Sequence, residues 1–164
     1  MPKSHDPNPK PFLDIFFMRE AFKEAQKAFE KDEVPVGAVI VHNNQIIAKA
    51  HNQVELLKDP TAHAEMIAIT QATNTLSTKW LSDCSLYVTL EPCSMCAGAL
   101  VLARISKIFF GAKDPKTGAC GSVVNIAHHK KLNHRIDIKR GIMKDECGLL
   151  MTDFFRKKRA GAKL

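Results

Sequence analysis

Two short motifs, His63-Ala64-Glu65 and Pro92-Cys93-Ser94-Met95-Cys96, each stand at the start of a predicted helix, with one predicted strand between them. Taken singly they say little. A His-x-Glu triplet arises by chance on many exposed helices, and an isolated Cys-x-x-Cys is shared by metal sites, redox pairs and coincidence. Taken together they constrain the fold, because a single sheet can set the two helix N-termini side by side. Cys93 and Cys96 are three residues apart, so on a helix they share one face and can grip one ion. The positive end of a helix favours the thiolate form that metals bind. His63 supplies a third donor. Three protein ligands on zinc leave one tetrahedral position open, the mark of a catalytic site. Glu65, two residues beyond His63, is expected to face that position and move protons. The rival is a structural zinc with a fourth protein ligand. Cys84, Cys120, Cys147 and His51 are available, but none stands at a ligand-pair spacing, and such a site gives Glu65 nothing to do. Five cysteines, an odd number with one close pair, point to metal or catalysis before disulfides in a cytosolic chain.

The rest of the chain alternates helix and strand. Ile15, Met18, Phe22, Ala25 and Phe29 recur at helical spacing, which predicts an amphipathic helix near 13–31. Val36 to Val41 and Gln45 to Ala50, joined by Asn43-Asn44, read as a hairpin. Thr61 is the expected N-cap of a helix over 62–76. Ser85 to Leu90 is a strand, and Pro92 suits the first turn of the helix that follows. Lys107 to Phe110 is a strand ended by Gly111. The loop Thr117 to Gly121 leads to an expected short helix near 122–128, and Arg135 to Lys139 makes a fifth strand. A last amphipathic helix runs from about 145 to 159, with Leu149, Leu150, Phe154 and Phe155 as its apolar side. This alternation predicts a three-layer α/β/α domain around one sheet, covering residues 12–160.

The 164 residues are one domain's worth. No apolar run approaches the roughly 20 residues that span a bilayer, which argues against a membrane partner. Met1 to Pro11 is polar and proline-rich, without the apolar stretch of a signal peptide, and is expected to be a flexible tail on a cytoplasmic protein; 161–164 reads as a short C-terminal tail. The formal charge of +7 suits either a plain soluble surface or an anionic partner such as nucleic acid. Arg156, Lys157, Lys158, Arg159 and Lys163 crowd its last nine positions.

Beyond the metal motif, the chain carries Glu33-Val-Pro-Val-Gly-Ala-Val, Asn52, Pro60-Thr-Ala-His-Ala-Glu65 and Leu86-Tyr-Val-Thr-Leu-Glu-Pro-Cys-Ser-Met-Cys-Ala-Gly98. Further on come Gly111, Asp114, Lys116 to Ser122, Asn133-His134 and Asp153-Phe-Phe-Arg156. From about Met18 to Arg159 this combination closely resembles the bacterial tRNA-specific adenosine deaminases, which make inosine at the wobble position of an arginine tRNA anticodon. The resemblance implies a cytidine deaminase-like fold with a five-stranded mixed sheet, one zinc per subunit and a homodimer whose sites are completed by the neighbouring subunit. It implies that Asn52 contacts the target base, with Ala64 beside it, and that Glu33, Val34 and Pro35 surround the flipped nucleotides. Asp114 and Lys116 match a loop that touches the RNA backbone, and Phe154 and Arg156 match a terminal helix that holds the anticodon loop. Each has a plainer reading. Val34 and Pro35 also suit the entry to a core strand, Asn52 and Asp114-Pro115-Lys116 also suit turns, and one of Phe154 and Phe155 is expected in the core. The chain departs from the family at Val54, where arginine is frequent, at Ala48 and Ala50, where some members have glycine, and at Ser94.

Three functions remain in competition: an enzyme that edits tRNA, a deaminase of free bases or nucleosides, and a zinc-stabilised RNA-binding module without activity. The basic terminal helix and the Asp114–Ser122 loop favour the first over the second. Glu65 and an open metal position favour it over the third. The chemistry expected is the one known for zinc base deaminases as a class, assigned to these residues by the match of their motif. Water adds at the carbon bearing the amine, and Glu65 carries protons from water to the ring nitrogen and the departing ammonia.

Overall fold

A computed structural model describes residues 10–161. Most of the two expected tails, and Lys163 of the basic cluster, lie outside the described residues. Among them the order is α1 (Lys10–Glu30), β1 (Gly37–His42), β2 (Gln45–His51), α2 (Val54–Leu57), α3 (Ala64–Leu76), β3 (Cys84–Leu90), α4 (Ser94–Leu102), β4 (Lys107–Ala112), β5 (Asp137–Arg140) and α5 (Lys144–Gly161). The strands form one mixed sheet in the order β2-β1-β3-β4-β5. β1 is antiparallel to β2 and β3, while β3, β4 and β5 are parallel.

Period-2 alternation of the strands splits the interior into two layers. Ala38, Ile40, Leu86, Val88, Ile108 and Phe110 point to the face covered by α3 and α4. Val39, Val41, Tyr87 and Phe109 point to the opposite face, where Phe17, Met18 and Ala21 of α1 pack. Tyr87 and Phe109 stack there with centroids 4.4 Å apart. The α1 backbone lies almost on β1, because the touching residues are small. Ala21, Ala25 and Ala28 are fully buried, and a Cβ on Gly37 would overlap the Ala21 carbonyl oxygen, so no side chain fits. The β1–β2 turn has Asn43 and Asn44 at φ 50° and 59°, the left-handed pair that a two-residue hairpin needs.

The parallel strands set the site. β3 and β4 end on the same side of the sheet, so the turn into α4 and the loop after β4 meet there. Four local expectations give way. α3 starts at Ala64 with His63 as N-cap, while Thr61 instead donates its N–H and hydroxyl to the Asp59 carboxylate at 2.8 and 2.7 Å. α4 starts at Ser94 with Cys93 as N-cap, which leaves Pro92 ahead of the helix. β4 runs through Gly111 to Ala112. Residues 122–128 form turns instead of a helix, because the N–H groups of Val123 and Val124 turn back to the Gly118 carbonyl and that of Ser122 goes to Glu91. The short helix α2 adds an element that the sequence pattern does not announce.

Candidate active site

His63 and Cys93 occupy the N-cap positions of α3 and α4, and neither side chain caps its own helix. An N-cap is ordinarily Ser, Thr, Asp or Asn, whose oxygen bonds the first turn. Here both side chains are free to point away from their helices and toward one another. Cys96, in the first turn of α4, is the third donor. The Nδ1 of His63 lies 3.6 Å from the Cys93 sulfur and 3.5 Å from the Cys96 sulfur. All three donor atoms fall within 4.8 Å of one another, and no other such cluster occurs among the described residues. Cys96 is buried, while His63 and Cys93 are half-buried.

The electrostatics suit metal binding. Contact with the Cys96 thiol, aided by His63, brings Cys93 down to about 4. The same contact with Cys93, and burial, push Cys96 up. His63 is raised, chiefly by its hydrogen bond to Cys93. One thiolate is thus already stabilised between a thiol and an imidazole. Of the possible fourth ligands, Cys84, Cys120 and Cys147 are buried outside the group, and His51 pairs with Glu24 at 3.0 Å instead.

Glu65 is 3 % exposed, and its Oε1 has no hydrogen-bond partner among the described residues. Desolvation raises its carboxyl above the usual range. An unpaired buried carboxyl oxygen costs stability, and the fold bears that cost beside three residues that could hold a metal. That orphaned oxygen and the two-sulfur, one-nitrogen donor set together fit a zinc ion.

The other expected site residues fall into distinct surroundings. Asn52 is buried and accepts the Ala64 N–H at 2.8 Å through its amide oxygen, which directs its NH₂ end elsewhere. Ala64 is buried at the start of α3, its N–H committed to that bond. Glu33 is 2 % exposed, and its carboxylate accepts the N–H groups of Glu55 and Leu56 at 3.1 and 2.8 Å, which satisfies the first turn of α2. Val34 is half-buried and Pro35 fully buried where the chain enters β1. Asp114 spends its carboxylate on its own turn, accepting the N–H groups of Lys116 and Thr117 and the Thr117 hydroxyl. The Lys116 side chain is exposed. Phe154 is buried, edge-on to Phe29 at 6.0 Å, whereas its neighbour Phe155 is exposed. Arg156 is exposed, with Asp153 at 3.6 Å. Glu91 has no task in the sequence reading, where it is one letter of a motif, yet it is buried and hydrogen-bonded to the loop after β4. The available signal was a charged residue placed between an apolar strand and Pro92.

Comparison with known proteins agrees with this geometry. The sequence pattern of the MafB19-like deaminases matches residues 14–159. The chain is 54% identical over 144 residues to a tRNA-specific adenosine deaminase of Aquifex aeolicus, covering 88% of this chain and 95% of the relative. It is 49% identical over 146 residues to one of Bacillus subtilis, covering 89% and 91%. A solved structure from studies of A-to-I editing by tRNA:A34 deaminases at the wobble position of transfer RNA superposes with a TM-score of 0.80 at 42% identity, over 82% of this chain and 98% of that one.

Proposed function

Since the chain belongs to the MafB19-like deaminases and to the tRNA-specific adenosine deaminases, we propose that it hydrolyses adenosine to inosine at the wobble position of a tRNA anticodon, that of an arginine tRNA. The observation that carries the chemistry is the buried, unpartnered Oε1 of Glu65 beside the donors of His63, Cys93 and Cys96. These three would hold one zinc per subunit. When bound, zinc supplies the Lewis acidity that brings the pKa of water toward neutrality.

The chain's own groups do the rest. Glu65 takes one proton from water and returns it to the ring nitrogen as the water oxygen bonds to the amine-bearing carbon. It then takes the remaining proton of that oxygen and delivers it to the amine, which leaves as ammonia as the C–N bond breaks and the carbonyl forms. Burial, which raises its pKa, suits a carboxyl that holds a proton between those transfers. The Asn52 amide, fixed by the Ala64 N–H, is oriented to bond an edge of the base. Lys116 and Arg156 are exposed cations suited to the phosphates of an anticodon loop. An adenosine in that loop is already unpaired, so extruding it costs little, and a tRNA substrate is in keeping with a cytoplasmic enzyme.

The assay that tests this compares an anticodon stem-loop beginning its anticodon with adenosine against free adenosine. Contacts remote from the reacting carbon raise transition-state stabilisation, so inosine should form on the stem-loop at far higher kcat/KM. Log affinity should fall with log salt by about 0.7 per phosphate neutralised, and removing residues from Arg156 onward should flatten that slope. Equal turnover of free adenosine or cytidine would replace the tRNA reading with a nucleoside deaminase.

The assembly we propose is a homodimer, in line with the family resemblance. Leu56 and Leu57 on α2, Leu102 at the end of α4, and Val123 and Val124 are exposed apolar side chains on or beside the elements that carry the site, surface of the kind a second copy covers. Light scattering at micromolar concentration and physiological salt should give twice the chain mass, and a monomer mass would end the proposal.

A further inference from the structure

Glu91 takes no part in the steps above, yet its carboxylate is 2 % exposed and accepts four hydrogen bonds. Oε1 accepts the N–H of Asp114 at 3.2 Å and the hydroxyl of Ser122. Oε2 accepts the N–H groups of Cys120 and Ser122 at 3.0 and 3.1 Å. All four donors belong to the Asp114–Ser122 loop, and none to β3 or α4. Gly118 lets the loop close over the carboxylate, because a Cβ there would overlap Oε2. The backbone ties the same loop to the ligand-bearing turn. The Ala119 N–H donates to the Pro92 carbonyl at 2.8 Å, and Cys93 and Gly118 form an isolated bridge. Asp114, held by Glu91, in turn holds the N–H of Lys116 at 3.0 Å. A chain of hydrogen bonds therefore runs from Glu91 through Asp114 to the backbone of Lys116.

We propose that Glu91 is a positioning residue for the RNA: it fixes the Asp114–Ser122 loop in register with the Cys93 turn, so that Lys116 meets the RNA backbone beside the pocket. The inference rests on the tRNA reading above. A loop already shaped before binding avoids the cost of ordering it on the substrate, and a charged acceptor holds N–H groups more strongly than a neutral one. Glutamine at this position has the same size but presents donors in place of one oxygen. At least one inward N–H then loses its acceptor. The effect should fall on KM, because Glu65 and the metal donors are untouched.

The test uses the full chain and its zinc. For Glu91→Gln we expect unchanged zinc content, kcat within about twofold of wild type, and KM for the stem-loop raised about tenfold, as loss of uniform binding requires. Amide exchange should quicken at Asp114, Cys120 and Ser122. Ser122→Ala removes one donor from an exposed loop position and should raise KM about threefold at constant kcat. It decides the matter alone if the Glu91 variant does not fold. An unchanged KM in Ser122→Ala, a fall in kcat at constant KM, or loss of zinc in a folded variant would overturn the proposal and leave Glu91 as a brace of the metal turn. If wild type makes no inosine on the stem-loop, the tRNA reading fails first and the RNA role falls with it, while the exchange rates still show whether Glu91 holds the loop.

Discussion

Replacing Glu65 with alanine should lower kcat by roughly 10⁴ or more, at or beyond the top of the usual range for a placed proton carrier, because the proposed mechanism gives this one carboxyl several transfers per cycle. Zinc content and stem-loop affinity should stay at wild-type values, since Glu65 is not among the three donors that converge. A second, less obvious expectation comes from its surroundings. Glu65 is buried and its Oε1 bonds to nothing among the described residues. Removing it deletes an unsatisfied polar group, so the variant should melt at or above the wild-type temperature, as is common where a site trades stability for activity. A thermal melt and a single-turnover inosine assay on one preparation check both halves. A variant within tenfold of wild-type rate would mean that Glu65 does not carry the protons. A large loss of stability would mean that Glu65 is a structural acid whose partner lies elsewhere.

Local backbone preference on one side and tertiary contact on the other separate what the sequence reveals from what it hides. Alternating strand and helix signals lead directly to the layered sheet, and Asn43-Asn44 announces the hairpin, because these are local backbone preferences. The convergence of His63, Cys93 and Cys96 is equally legible, since residue identity and spacing are chemical facts of the chain. Tertiary hydrogen bonds are not. Residues 122–128 have the composition of a short helix, yet Glu91, some thirty positions earlier, takes the N–H of Ser122 that opens this stretch. Thr61 looks like an N-cap, but Asp59 stands two residues away and binds it first. Glu33 enters the sequence reading only through the resemblance, as a neighbour of the flipped nucleotides, and only the fold shows it capping α2 across 23 positions. Helical periodicity also cannot choose between adjacent aromatics. Phe154 turns inward against Phe29 and Phe155 outward, a choice made by the contact of α5 with α1.

Cys96→Ala should cost the protein its zinc, its activity and a measurable share of its stability together. Cys96 is fully buried beneath His63 and Cys93, so no solvent-exposed group can replace its sulfur, and two remaining donors make a weak site. A metal bound only by the folded state adds stability in proportion to how far its free concentration exceeds its Kd, about 4 kcal/mol at a thousandfold excess. For a chain of this size that corresponds to a fall of roughly 8–16 °C in Tm. The fold itself should survive. The apolar core that spans the sheet is built from side chains other than the three donors, and without metal the Cys93 thiolate still has the Cys96 thiol and His63 to stabilise it in the wild-type chain. Chelation of wild type should therefore lower Tm by a similar amount without unfolding it at room temperature, and the chelator should do nothing further to Cys96→Ala. Cys93→Ala should lose zinc as well, while the backbone bridge between position 93 and Gly118 stays in place. Metal analysis and melting curves, with and without chelator, read all of this on three proteins. Full zinc occupancy in either cysteine variant would remove the proposed ligand set, and with it the reason for Glu65 to remain buried and unpaired.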